Sequence, residues 1–457
     1  YNVYDDSGIV TMYLTVSRGN DSENTNHSWA EINHYSAYDY TAMGVARYQV
    51  NGLLQVGDEN GPLAGEVGYD TLAPNATVQI RGQTSSRYTQ KNYKVKLKKN
   101  KGSWRGQRTI ALNKHQGEGL RFRNKMAYDL IKGIDQMMGL RTQFVHLYVK
   151  DLTDSASGVF EDYGLYTQVE QLNKTALKAH GVDPNGQLYK INSFEFYRYE
   201  DVIRLTTDPA YDQTAFEKHL EIKGNSDHSK LIKMLDVLND ESSSMDDELF
   251  VTYFDKENIA YWMAFQLLTG NTDTQNRNVY LYSPQNSSKW YLWDWDNDGM
   301  LRRREREIIN FSDSESWERG VSNYWGNVLF RRCLQTQSYR DLLDTAMKEL
   351  YAYMNEERIQ SMMEHYRSVT EKYVWQMPDR MNVPITHDEY EEVLKSIWPE
   401  IDENYNYYWE SYRKPMPFYI GEPQVVNGSL LLTWDPSYNF EIENIYYTVE
   451  LAKDYLF

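Results

Sequence analysis

The sequence predicts an α+β chain of two lobes, a β-rich one followed by a mainly helical one, with a partial β-sandwich-like segment at its end. Three observations carry this. Apolar residues alternate in the first stretch to about 115, as in Thr11-Met-Tyr-Leu-Thr-Val-Ser and Tyr93-Lys-Val-Lys-Leu-Lys. Apolar residues at helical spacing dominate between about 213 and 412. Alternation returns after Pro415.

In chain order, polar turns rich in Asn, Asp and Gly separate the first strands, which include Thr77-Val-Gln-Ile-Arg81. Arg121 to Gly139 reads as a helix, with Phe122, Met126, Leu130, Ile131 and Ile134 near helical spacing and Gly139 as its C-cap. Three strands follow, Gln143-Phe-Val-His-Leu-Tyr-Val, Tyr163-Gly-Leu-Tyr-Thr-Gln-Val-Glu170 and Gln187-Leu-Tyr-Lys-Ile. Phe254 to Leu268 is the clearest helix, with Asp255 as cap and Ile259, Trp262, Met263 and Leu267 on its apolar face. Two short strands come next, Asn278-Val-Tyr-Leu-Tyr and Trp290-Tyr-Leu-Trp, before helices such as Leu342 to Met354 and Arg358 to Tyr373. Gly428-Ser-Leu-Leu-Leu-Thr-Trp-Asp and Asn444-Ile-Tyr-Tyr-Thr-Val-Glu-Leu-Ala then alternate like sandwich strands, and Leu-Thr-Trp-Asp resembles the second strand of a fibronectin type III-like domain. About 42 residues remain there, against ~100 for a whole sandwich. The expected division is therefore a β-rich lobe over 1–205, a helical lobe over 206–414 and the start of a β segment over 415–457. This is the element order of protein-kinase-like folds, which hold a nucleotide between the lobes.

Charge narrows the partners. The chain has 66 acidic against 48 basic residues, a net charge of −18. That argues against a general nucleic-acid or anionic-membrane binder. A nucleotide site in such a chain needs a local cationic cluster or metal ions. One cysteine, Cys333, rules out an intrachain disulfide and a Cys-rich zinc site, and its helical surroundings predict a buried structural thiol. No run of 18 apolar residues exists, so no transmembrane helix is expected. The chain begins at Tyr1 without Met or signal peptide, as a mature or trimmed form would, and its Tyr- and Trp-rich composition suggests a place outside the cytoplasm.

Four stretches carry chemistry. Asn271-Thr-Asp-Thr-Gln-Asn-Arg-Asn278 places Asp273 and Asn278 five apart in a loop between a strong helix and a strand. In phosphoryl transfer an Asp orients the attacking hydroxyl or takes its proton, and an Asn oxygen holds Mg²⁺. The plain alternative is an Asn/Asp-rich turn. Trp290-Tyr-Leu-Trp-Asp294-Trp-Asp296-Asn-Asp298-Gly299 runs an apolar strand into three acids, whose burial is costly unless a cation meets them. The same stretch fits an EF-hand calcium loop through Asp294, Asp296, Asp298 and Glu305. Against that stand its strand-like entry and the run Arg302 to Arg304. Around Thr77 to Leu97, Arg81, Arg87, Lys91, Lys94 and Lys96 form the cationic cluster a nucleotide requires, or else a solvated hairpin. Glu170 and Lys190 end and occupy further strands, where each reads as a phosphate-site partner or a surface ion pair. No Gly-x-Ser-x-Gly elbow and no helical His-x-x-x-His pair occur. Paired carboxylates for polysaccharide cleavage stay open.

Seven motifs in order resemble the spore coat protein H (CotH) family. They are Arg81-Gly-Gln-Thr-Ser, Lys91-Asn-Tyr-Lys-Val-Lys-Leu, Leu120-Arg-Phe-Arg-Asn-Lys-Met-Ala, Tyr163-Gly-Leu-Tyr-Thr-Gln-Val-Glu-Gln, Leu188-Tyr-Lys, Asn271-x-Asp273-x4-Asn278-Val-Tyr-Leu-Tyr and Trp293-Asp-Trp-Asp. The resemblance covers roughly 75 to 410; Gln83 stands where the family more often has Asn. It implies an atypical, secreted or surface-located protein kinase that uses ATP with Mg²⁺ or Mn²⁺ to phosphorylate Ser or Thr of proteins. It implies Asp273 as the catalytic Asp, Asn278 and Asp294 or Asp296 as metal ligands, and Lys91 in the nucleotide site with Glu170 as its partner or a hinge residue. Arg81, Lys94 and Lys190 complete the expected nucleotide site. The alternatives are a non-catalytic surface protein with Ca²⁺ in 294–305, and a polysaccharide-active enzyme.

Overall fold

The computed structural model describes residues 3–155, 158–311, 318–441 and 444–452. Its first part is a sheet built from β1 (Ile9–Ser17), β2 (Val50–Asp58), β3 (Gly61–Pro62), β4 (Ala76–Arg81), β5 (Asn92–Leu97), β6 (Thr109–Asn113), β7 (Thr142–Asp151) and β8 (Phe160–Glu170). The strand order is β1-β7-β8-β6-β5-β4-β2-β3, and β1 also pairs with β2. That extra pairing closes the sheet into a ring of seven strands. β1 runs parallel to β7 and antiparallel to β2. Alternation does what the period predicts. Met12, Leu14, Val16, Val78, Tyr93, Val95, Leu112 and Leu147 fill the interior, so the intervening Arg81, Lys94 and Lys96 are turned outward.

Two short helices, α1 (Trp29–His34) and α2 (Ala37–Met43), sit within the stretch that reads as mostly β. Each opens on a capping box, Ser28 with Glu31 and Ser36 with Asp39. The Ser-x-x-acid spacing was the available signal, and it satisfies the amide groups that a short helix otherwise leaves orphaned. α3 (Arg123–Ile131) follows β6 and stops before the expected Gly139 cap.

A second sheet joins β9 (Gln187–Ile191), β10 (Leu220–Ile222), β11 (Val279–Ser283) and β12 (Tyr291–Asp294) in the order β10-β9-β11-β12. β9 lies before the expected boundary at 205 and its partners beyond it. Between these strands come α4 (Lys174–Ala179), α5 (Gln213–His219), α6 (Ser229–Leu238), a π-helix (Met245–Tyr253) and α7 (Lys256–Thr269). α7 is capped by Asp255, as expected, and is buried without a break from Asn258 to Thr269. An all-round buried helix is the centre of its lobe. The later helices are α8 (Arg303–Ile308), α9 (Val328–Gln335), α10 (Gln337–Tyr353), α11 (Glu356–Val374) and α12 (His387–Ser411), and α7 packs against β12, α10 and α12. Cys333 is buried on α9.

The end of the chain carries one exposed hairpin, β13 (Gln424–Val426) with β14 (Ser429–Leu431). Residues 444–452 form no strand, contrary to the alternation. They are largely exposed and have no partner strand to satisfy their backbone. The tail is fastened instead by Tyr438 and Phe440, whose rings lie 4.8 and 5.7 Å from Trp325.

Candidate active site

The antiparallel register of β11 and β12 pairs Val279 with Asp294. Continued by one residue, it sets Asn278 opposite Trp295, between Asp294 and Asp296. Asn278 and Asp296 both adopt left-handed backbone, at φ 57° and 61°. Asn and Asp tolerate that conformation better than other side chains. The two loops therefore leave the sheet at the same end, carrying the acids expected to share a site.

Asp294 is 1% exposed. Its Oδ1 accepts from Gln266 of α7 at 2.7 Å, and its Oδ2 from the Asn297 amide. Asn271 continues the network, donating to Gln266 Oε1 at 3.0 Å. The Asn297 backbone N–H donates to Asn124 of α3 at 3.2 Å. Burial pushes the Asp294 carboxyl up to about 7, against the stabilising amides. Both of its oxygens are thus engaged in tying β12 to the 271 loop.

Asp296 differs. Its backbone N–H donates to Tyr128 Oη at 3.2 Å. Its half-buried carboxylate has no hydrogen-bond or ion-pair partner among the described residues. Burial raises its pKa first and Asp298 adds to the rise, while His115, Lys190 and Arg81 oppose it. Burial also works against the charged form of Asp298, but His115, 3.8 Å away, together with Arg302 and Arg306, holds that group below the usual range.

The cationic cluster does face the acids, though in a different membership from the expected one. Arg81, at the end of β4, hydrogen-bonds Asn113 and acts electrostatically on Asp296. Lys190, on β9, lies 5.6 Å from the Trp295 ring centroid and also acts on Asp296. Lys94 belongs to the same field. Burial lowers its pKa, and Lys223, Lys96, Arg47 and Arg81 lower it further. Lys91 does not join them. It donates to the Ser86 carbonyl at 2.5 Å, and its charged neighbour is Asp39. Arg87 stacks on Tyr38. Glu170 is buried and held by Arg141 at 2.6 Å and His180 at 2.7 Å, so it is a structural ion pair rather than the partner of Lys91.

Asp273 lies on the 271–278 loop, within electrostatic reach of Asp298. Asn278 Nδ2 donates to its carbonyl at 2.9 Å and to its Oδ2 at 3.1 Å. The side chain is 59% exposed, with Arg277 at 3.7 Å. The loop packed beneath it raises its pKa and Asp298 adds to this, against Arg277, Asn278 and Arg306; open water on the outer side limits the rise. The loop is held from behind. Asn323 and Asn327 donate to the carbonyls of Thr272 and Gln275, both at 2.9 Å, and Asn276 donates to Glu195 at 2.6 Å.

The donor set fits a hard divalent cation with retained water. Asp296 offers a carboxylate without a partner, and Asn278 an amide oxygen that accepts no hydrogen bond among the described residues. Phosphate fits the facing side, where Arg81, Lys190, Lys94 and Lys223 gather. The EF-hand reading of 294–305 does not survive. Glu305, which would close the loop, is fully buried, pairs with Arg123 at 2.7 Å and Arg302 at 3.2 Å, and accepts from the Gly119 N–H at 3.0 Å. Asp294 has both oxygens taken. Two of the four calcium ligands are thus committed elsewhere.

A family model described as CotH kinase protein matches residues 78–408, from within β4 to within α12. The chain belongs to this family. All the CotH motifs named above fall inside the match, and the tail past 415 lies outside it. Two solved structures are similar to this CotH kinase chain. One is the Helicobacter pylori proinflammatory kinase CtkA, at 10% identity, covering 69% of this chain and 94% of that one with a TM-score of 0.32. The other is the Shewanella oneidensis MR-1 toxin–antitoxin complex of HipA, HipB and operator DNA, at 12% identity, 66% and 58% coverage and a TM-score of 0.30. No protein with a curated description matches the chain. Sequence reasoning missed several groups of this CotH-family site, namely His115, Gln266, Asn271, Asn297, Tyr128 and Lys223. His115 has the left-handed φ of 52° that a loop position between strand and helix imposes. Its only sequence signal was nearness to the Leu120 motif.

Proposed function

We propose that this CotH-family kinase transfers the γ-phosphate of ATP to Ser or Thr hydroxyls of proteins outside the cytoplasm. The observation that carries the reading is the Asp296 carboxylate, on which Arg81 and Lys190 act and which the β11–β12 register brings beside Asn278, the hydrogen-bond partner of Asp273. Asp273 orients the acceptor hydroxyl and takes its proton as the oxygen bonds to the γ-phosphorus. The bond from that phosphorus to the β–γ bridging oxygen breaks, and ADP leaves. Arg81, Lys190 and Lys94 neutralise phosphate charge as the lobes meet. Asp296 and Asn278 would hold Mg²⁺ or Mn²⁺, which would supply Lewis-acid stabilisation of the transferring group. Asp294 orients that strand end through Gln266 and Asn297. Lys91 and Glu170 support the lobe from outside the cleft. Among the described residues no helix is long and apolar enough to cross a membrane.

The test is labelled-phosphate transfer from ATP to casein by the wild type and by Asp273→Ala, followed by phosphoamino-acid analysis. Label on Ser or Thr, lost in the variant, is the expected result. Equal transfer by both proteins removes Asp273 from the chemistry. Label on another residue type corrects the acceptor.

A further inference from the structure

A cavity of about 370 Å³ lies behind the loop that carries Asp273. Asn271, Thr272 and Gly299 form one wall, and α12 the other. Five cations line it, Arg302, Arg303, Arg306, Arg319 and Lys414, against two acids, Glu318 and Glu400. This reverses the balance of a chain whose net charge is −18. Gathering like charges in a partly buried space is unfavourable unless something offsets it.

Part of that offset is internal. Arg303 pairs with Glu403 and donates to Asn404 at 2.7 Å. Arg302 donates to the Gly117 carbonyl at 2.7 Å and reaches Glu305. Among the described residues, Arg319 and Lys414 have no such hydrogen-bonded carboxylate, although Glu403 and Glu400 act on Arg319 electrostatically. Among the described residues, Arg319 has no hydrogen-bond acceptor, and its buried Nε is unsatisfied. Its guanidinium lies over the Tyr407 ring at 4.4 Å. Lys414 shares that ring at 4.6 Å and donates to the Tyr407 hydroxyl at 2.9 Å, with no carboxylate within ion-pair distance among the described residues. Two cations on one aromatic ring, one of them with an unsatisfied buried donor, border a cavity suited to a multivalent oxyanion. The volume lies within the ~300–1,000 Å³ of ordinary ligand pockets. Arg306 connects the cavity to the chemistry, because it acts electrostatically on both Asp273 and Asp298.

We propose that this cavity binds a phosphate monoester carried by the acceptor protein, so that the kinase prefers a segment already phosphorylated beside the hydroxyl it modifies. The acceptor side of the proposal rests on the kinase reading above; the anion site itself rests on the cavity alone. Phosphate supplies several acceptor oxygens for forked guanidinium donors, which a carboxylate matches less fully.

The experiment measures binding by calorimetry, without ATP. The probes are inorganic phosphate, a short Gly/Ala peptide bearing one phosphoserine two residues from a free serine, and its unphosphorylated counterpart. The phosphopeptide is expected to bind at least tenfold more tightly than the plain peptide. Arg319→Gln with Lys414→Gln should weaken it tenfold or more, and Lys414→Gln alone, at an exposed side chain, by less. Equal binding of the two peptides overturns the proposal, as does wild-type affinity in the double variant with an unchanged melting temperature. Inorganic phosphate binding as tightly as the phosphopeptide makes this a free-phosphate site and overturns the acceptor role. Transfer assays on the same peptides read separately. If Asp273→Ala still transfers phosphate while the binding pattern holds, the catalytic reading falls and the anion site stands.

Discussion

Asn278 donates two hydrogen bonds to Asp273, one to its carbonyl at 2.9 Å and one to its carboxylate at 3.1 Å. One side chain thus holds both the backbone and the carboxylate of the group proposed to receive the acceptor proton, while its own oxygen accepts no hydrogen bond among the described residues.

Replacing Asn278 separates these jobs. Asn278→Gly keeps the left-handed backbone easy but removes both hydrogen bonds, so transfer should fall by roughly 10²-fold with little loss of stability. Asn278→Ala should lose transfer equally and also about 1 kcal/mol of stability, because Ala is strained at φ 57°. Steady-state rates and urea midpoints of the two variants check this. Unimpaired transfer by Asn278→Gly contradicts the positioning role.

The two strand-end acids should respond differently to substitution. Without metal, Asp296→Asn should be as stable as wild type or more so, since a half-buried carboxylate with no hydrogen-bond partner among the described residues is replaced by a neutral amide. A ligand at 100 times its dissociation constant stabilises by ~2.7 kcal/mol. That increment, from Mg²⁺ with ATP, should vanish in Asp296→Asn and only shrink in Asp294→Asn. Thermal melts with EDTA and with Mg²⁺-ATP read both. An intact increment in Asp296→Asn assigns the metal elsewhere.

Glu400 gives a pH signature. Burial pushes its carboxyl up to about 7 from an ordinary 4.5, against Arg303 and Arg123. The folded state therefore binds a proton more tightly than the unfolded state. Its stabilising contribution is complete below pH 4.5 and is lost as pH rises through about 7. Glu400→Gln should gain relative to wild type between pH 5 and pH 8, by up to about 3 kcal/mol. Urea midpoints at the two pH values test it; a constant difference refutes the shift.

Arg123 and Glu305 are both fully buried and 2.7 Å apart. Removing either one leaves the other a weaker partner, Arg302 for Glu305 and Glu118 for Arg123, both at 3.2 Å, so Glu305→Gln or Arg123→Met should each cost up to roughly 3 kcal/mol. Ca²⁺ should not alter the melting temperature of the wild type. A Ca²⁺-dependent rise that Glu305→Gln abolishes would restore the calcium loop.

Much of the fold was legible because its signals are periodic. The strands over 11–17, 77–81, 93–97 and 143–149, and the Asp255-capped helix, follow from alternation and helical spacing. The hairpin lysines point outward for the same reason. Ring closure was not legible, since the pairing of β1 with β2 and β7 is a matter of partners that periodicity does not name. Asp273, Asn278 and Asp296 could be picked out by residue type in a loop next to regular elements. The choice between Asp294 and Asp296 could not, because it depends on Gln266 and Asn297 reaching one carboxylate and not the other. Lys91 shows the reverse failure. It lies one turn of sequence from the cluster, yet the 3₁₀ turn at Thr84–Arg87 directs it to a carbonyl instead.

The closed seven-strand ring has a consequence for how the molecule is made. β1 ends at Ser17, and its parallel partner β7 ends at Asp151. The seam cannot form until more than 130 residues of intervening chain have been synthesised and have left the ribosome. Contacts so distant in sequence carry a large loop-closure cost and slow the search. Until then β1 presents an unpaired apolar edge, the species most exposed to aggregation. Folding of this lobe is therefore governed by the arrival of β7, and β1 acts as the last stave of the barrel although it is made before its parallel partner.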